Sequence, residues 1–264
     1  MSYDEDFRKN IHFDKNNPIL AMKANTNRYT DKGPPGIPHL SAPHSEDALT
    51  WNIFRDLEAR GGISTIENIL KIKLDNPEIL LWTLSPVGNK SDLQYIVGNT
   101  IRSIDGKHNG QMTEPDVVIN SKDYFLIGEC KLGKKNSKGH LWSVSDEKNG
   151  VGPEKREADY FSKNYFKNDE STKKIYKTYG YQLFRMIFYT IEIAQLLQKK
   201  PCFFALMNGS WIGDKVEGER TPRDIFDEVK KCIEEKEMKV EIFTWQELDF
   251  SDECLRNCIN KIKP

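Results

Sequence analysis

Glu114-Pro115-Asp116-Val117-Val118-Ile119-Asn120-Ser121-Lys122-Asp123-Tyr124-Phe125-Leu126-Ile127-Gly128-Glu129-Cys130-Lys131-Leu132-Gly133 decides the fold of this chain. Two apolar runs, Val117 to Ile119 and Tyr124 to Ile127, flank a polar stretch ending in Lys122-Asp123, a pattern that predicts a β-hairpin. With Lys122-Asp123 as the tight turn, Asp116 falls opposite Glu129. Directly opposed residues project from one face of a sheet, with Cβ atoms about 5 Å apart. Lys131, two residues beyond Glu129, projects from that same face, and Cys130 from the other. Val118, Phe125 and Ile127 share the face of the charged residues, which favours a cleft over open surface. The plainer alternative is a surface hairpin whose charges face water.

Two carboxylates and an ammonium held together suit a hard divalent cation. Mg²⁺ prefers oxygen ligands and is usually bound by one or two carboxylates plus waters and substrate phosphates. Such an ion polarises a phosphoryl oxygen and orients the attacking water. Lys131 is placed to hold that water and to offset charge building on the phosphate.

Pro115, Asp116, Glu129 and Lys131, with apolar residues before the second acid, resemble the PD-(D/E)xK nuclease superfamily. The resemblance implies a restriction-endonuclease-like core and Mg²⁺-dependent hydrolysis of DNA, with Mn²⁺ as a substitute. It implies Asp116 and Glu129 as metal ligands, Lys131 beside the nucleophilic water, and Cys130 as a ligand through its main chain. Members often add a glutamate from a preceding helix, and Ser45-Glu46-Asp47-Ala48 fits that place, with Glu46 favoured over Asp47. Gln182 matches a glutamine found on the following helix in some branches, although Met186 stands where those branches carry a tyrosine. The core of the resemblance runs from about residue 45 to 245, and only the four hairpin residues are specific.

Each added residue has a second reading. Glu46 in a first helical turn also stabilises the helix dipole, and Gln182 also reads as a surface or core-edge amide. The aromatic group of Tyr179, Tyr181, Phe184, Phe188 and Tyr189 suits helix packing or stacking on a base.

At 264 residues the chain can bury a full core as one large domain. No apolar stretch can span a bilayer, no signal peptide is read at the N-terminus, and five cysteines without secretory context point to a cytoplasmic protein. The net charge of −1 argues against bulk electrostatic binding of nucleic acid. Lysines nevertheless gather in the middle, from Lys131 to Lys138 and from Lys163 to Lys177. They form either a solvated face or a set of phosphate contacts.

Residues 1–44, with Lys32-Gly33-Pro34-Pro35-Gly36, read as an extended arm or linker, and residues 45–264 as the nuclease-like domain. Helices are expected over Ser45–Arg60, Ser64–Leu74, Glu154–Phe166, Lys173–Lys199, Pro222–Glu237 and Trp245–Ile262. Strands are expected at Ile79–Leu84, Cys202–Met207 and Val240–Thr244, besides the hairpin. Asp92–Ile104 is open between helix and strand, and Gly133–Gly152 reads as an exposed loop. The whole predicts an α/β fold with a mixed central sheet flanked by helices.

Two function classes follow. One is a metal-dependent DNA endonuclease serving restriction, repair or defence, expected to pair as a homodimer through its arm or aromatic helix. The other is a non-catalytic nucleic-acid-binding or assembly module that keeps the fold.

Overall fold

The computed structural model describes residues 6–26, 37–42, 45–61, 63–87, 91–105, 114–132, 142, 153–215, 219–248, 253, 256, 257 and 259. Strands β1 (Glu78–Leu81), β2 (Val117–Asn120), β3 (Tyr124–Lys131), β4 (Lys200–Met207) and β5 (Lys239–Thr244) form one sheet in that order. β1, β2 and β3 pair antiparallel, whereas β3, β4 and β5 pair parallel. The chain is an α/β protein with a mixed, open sheet.

The hairpin has the register its turn residues demand. Val117 pairs with Gly128 and Asn120 with Phe125. The Ser121 N–H donates to the Tyr124 carbonyl at 2.9 Å, leaving Lys122-Asp123 as the connection. Alternation along β3 then divides the core. Phe125 and Ile127 join Val118, Phe203 and Ala205 on one face, against α4 (Asp92–Asp105), α5 (Pro153–Phe161), α7 (Tyr181–Leu196) and α8 (Pro222–Lys231). Leu126, Cys130 and Leu132 point the other way, toward α2 (Glu46–Ala59) and α3 (Ser64–Leu70).

Gly128 sets how closely α2 approaches. The ring of Phe204 lies over Gly128 where a side chain would project, stacking on Phe54 of α2 at 6.5 Å and on Phe243 at 5.4 Å. Gly128→Ala would drive a methyl into that ring. It is expected to cost about 1–3 kcal/mol, read as a lower denaturation midpoint with an unchanged slope.

The N-terminal segment is not extended over its described part. It holds helix α1 (Pro18–Thr26) and two 3-10 turns, Phe7–Asn10 and His39–Ser41. Phe7, Ile11, Leu20, Ala24 and Leu40 are buried in the same cluster as α2. Side chains replace the missing periodicity as fasteners. Asn10 donates to the carbonyls of Leu40 and Ala42, Asn52 donates to the Asn10 carbonyl and accepts from the His12 N–H, and Trp51 Nε1 donates to the Phe13 carbonyl at 2.7 Å. The aromatic group of α7 is likewise inside the core: Phe184 and Tyr189 are fully buried. Most of the described apolar side chains of both elements are thus used within the core, while Met22 and Leu196 stay exposed.

Asp92–Asp105 is helix. The Lys173–Lys199 stretch divides into α6 (Glu170–Ile175), a π-helical turn at Tyr176–Gly180, and α7. Trp245–Glu247 is a 3-10 turn, and most of the helix expected beyond it lies outside the described residues. So does the expected loop at 133–152, apart from Trp142, which is fully buried and packs on Phe226.

One ionic cluster is sealed within the core. Asp105, at the end of α4, meets Arg156 of α5 at 2.8 Å and also meets Arg185 of α7, while Tyr189 donates its hydroxyl to the same carboxylate. Asp105 is fully buried and the two arginines nearly so. Three helices are thereby pinned at one point. Among the described residues no helix is long and apolar enough to cross a membrane.

Candidate active site

Glu46 reaches the end of β3 because of how α2 starts. Ser45 caps the helix, its hydroxyl accepting from the Ala48 N–H at 3.1 Å, so Glu46 falls in the first turn. From there its carboxylate accepts from the Leu132 N–H at 2.7 Å and lies 3.5 Å from Lys131 Nζ. Between the two acids of that turn, Glu46 is the one that meets Lys131.

Asp116 sits just before β2. Its carboxylate accepts from the Cys130 N–H at 2.8 Å, and its carbonyl accepts from the Trp82 N–H at 3.2 Å. The Cys130 thiol is buried on the opposite face, where burial pushes its pKa well up, so it is no nucleophile. Glu129 is almost fully buried and contacts Lys131 Nζ at 2.6 Å. Gln182, at the start of α7, donates its amide to the same carboxylate. The Gln182 N–H in turn donates to the Trp142 carbonyl at 2.9 Å. Five residues named from the sequence, drawn from α2, the hairpin and α7, thus surround one point. Trp82 and Trp142, which hold two of them by the backbone, carried no signal in the sequence, because a main-chain contact leaves none.

The electrostatics are unbalanced. Among the described residues, three carboxylates share one ammonium. Burial lifts the Asp116 carboxyl well above its ordinary range, and the nearby Glu129 charge lifts it further. Burial also raises Glu46, although Lys131 pulls the other way. Burial disfavours the Lys131 ammonium, but Glu129, Glu46 and Asp116 outweigh it and hold the proton more tightly than usual. Among the described residues the site therefore holds more acids than cations.

This donor set fits a hard cation. The carboxylates offer oxygen, and Mg²⁺ commonly takes only one or two of them and keeps several waters. Among the described residues no group of three or more His, Cys, Asp or Glu side chains converges in ligand geometry. Lys131 and Gln182 engage Glu129, and Lys131 and Leu132 engage Glu46. Asp116 and Glu46 are partly buried, whereas Glu129 is almost fully buried.

The unbalanced charge gives a stability signature. An acid whose folded pKa is raised holds its proton in the folded chain at pH values where the unfolded chain has lost it. Asp116 thus favours folding less as pH rises above the ordinary carboxylate range. Asp116→Asn keeps an oxygen to accept from the Cys130 N–H and removes the charge. Without added metal it is expected to raise Tm by ~2–4 °C at pH 8, with a smaller gain at pH 5, measured by differential scanning calorimetry.

No protein family, curated protein or solved structure matches this chain.

Proposed function

We propose that this chain is a Mg²⁺-dependent deoxyribonuclease of the PD-(D/E)xK kind, hydrolysing phosphodiester bonds in DNA. The observation that carries the reading is the meeting of Glu46, Asp116, Glu129, Lys131 and Gln182, in which three acids face one ammonium among the described residues. Buried charges are costly unless paired, and among the described residues the three acids meet one ammonium.

Asp116 and Glu129 would hold the ion, with Glu46 and the Cys130 main chain beside them. A bound Mg²⁺ supplies Lewis-acid polarisation of the scissile phosphoryl group. Lys131 keeps its proton, so it orients a water by donating to it and offsets charge developing on the phosphate. Gln182 fixes the Glu129 carboxylate by its amide and leaves that side chain one rotamer. The lysines between α5 and α7, from Lys163 to Lys177, would give the DNA backbone positive partners outside the site. Cutting both strands calls for two such sites, and a homodimer would supply them with matching symmetry.

The test is incubation of the purified chain with duplex and single-stranded DNA, with Mg²⁺ or Mn²⁺ and then with excess chelator. Cleavage that stops with chelator supports the reading, and cleavage that persists overturns it. Binding of DNA without any cleavage would instead assign the non-catalytic module.

A further inference from the structure

The connection after β1 has a conformation its residues resist. Leu81 and Leu84 exchange both backbone hydrogen bonds at 2.9 Å around Trp82-Thr83. Trp82 has φ 52° and Thr83 φ 64°. Positive φ at both central positions is the type I′ hairpin turn, which strongly favours Asn-Gly or Gly-Gly. A bulky residue followed by a β-branched one is a clear outlier there. Strain of this kind persists only where the surroundings over-determine it, and it gathers at functional sites.

The surroundings here are specific. The Trp82 indole is almost wholly buried and stacks on Trp51 at 6.0 Å, with the rings 14° from parallel. Trp51 lies in the second turn of α2, the helix that begins with Glu46. Lys23 of α1 sits 4.8 Å above the same indole and pairs with Glu114 at 3.4 Å, next to the Pro115-Asp116 step. The Trp82 backbone N–H donates to the Asp116 carbonyl. One residue therefore touches the helix that carries Glu46 through its ring and the backbone that carries Asp116 through its amide.

We infer that Trp82 is a positioning residue, and that the strained Trp82-Thr83 turn sets Asp116 against Glu46 so that both carboxylates address one cation. Toward the metal this rests on the nuclease reading; toward Asp116 alone it does not. The strain is retained because an unstrained Asn-Gly turn would carry no indole to stack on Trp51. Outer partners of this kind, which hold a ligating residue without touching the metal, typically change metal affinity by about 10–100-fold when lost.

The test uses Thr83→Gly as background, so that loss of the indole does not unfold the chain. Glycine adopts positive φ freely, and this variant alone is expected to raise Tm by ~2–4 °C; its Mn²⁺ midpoint is the reference for the Trp82 variants. A lower Tm would show that the turn is not strained and would overturn that part. In this background Trp82→Ala is expected to weaken the Mn²⁺ midpoint, read by thermal-shift titration, by about 10–100-fold. Trp82→Phe should restore most of it. Amide exchange at Cys130, whose N–H donates to the Asp116 carboxylate, should quicken by roughly tenfold in Trp82→Ala while Leu126 holds its rate. A midpoint and a Cys130 rate that both match the background would overturn the inference. A chain with native Trp82 that shows no response to Mn²⁺ counts against the nuclease reading, and exchange at Cys130 then decides the positioning role.

Discussion

Asp116→Ala and Lys131→Ala are each expected to reduce Mg²⁺-dependent DNA cleavage by roughly 10³-fold or more, with circular dichroism and a cooperative unfolding transition retained. The two losses arise differently. Asp116 is partly open and would hold the ion, so its removal takes away an oxygen ligand and should weaken the response to added metal. Lys131 opposes three carboxylates, so its removal leaves the acids more mutually repelled. Lys131→Ala should therefore keep or tighten metal binding while losing turnover. Cleavage rates across a Mg²⁺ titration separate the two. Full activity in both variants would remove the site from the chemistry.

Asp105→Ala is expected to be the most destabilising single change outside the site. The Asp105 carboxylate is fully buried against Arg156 and Arg185. Removing it leaves two guanidiniums facing each other in an aromatic core beside Tyr160 and Tyr181. Breaking a buried pair on one side costs about 3–5 kcal/mol, a fall of ~10 °C or more in Tm for a chain of this size. Tyr189→Phe, which removes one hydroxyl from the same carboxylate, should cost only about 1 kcal/mol. Thermal unfolding of the two variants side by side gives the comparison. A loss at Asp105 no greater than that at Tyr189 would show that the arginines find other acceptors.

The hairpin was legible because its information is local. A Lys-Asp turn between two apolar runs admits one register, and that register fixes which side chains share a face. Glu46 was legible for a similar reason, since Ser45 followed by two acids marks a helix start. Gln182 was legible only as a residue type at a suggestive place. What turns it toward Glu129 is the π-helical turn at Tyr176–Gly180 and the Trp142 carbonyl, and neither leaves a periodic trace. The stretch before Ser45 misread for the same physical reason. Ile19, Leu20 and Met22 follow no helical period; Leu20 alone of them is fully buried, and the segment is held by long-range fastening through Asn10, Asn52 and Trp51. Trp82-Thr83 was unreadable in principle, because local propensity argues against the turn these residues form. The Asp105 cluster joins residues from three separated helices, and each charge alone reads as surface.

The carboxylates around Lys131 are expected to take up a divalent cation. Anomalous diffraction from crystals soaked in Mn²⁺ measures this without reference to activity. The expected result is a Mn²⁺ peak with oxygens of Asp116 and Glu129 at about 2.1 Å, the distance that Mg²⁺-type sites demand. A peak elsewhere on the chain, or none at millimolar Mn²⁺ with the site open to solvent in the lattice, would contradict it.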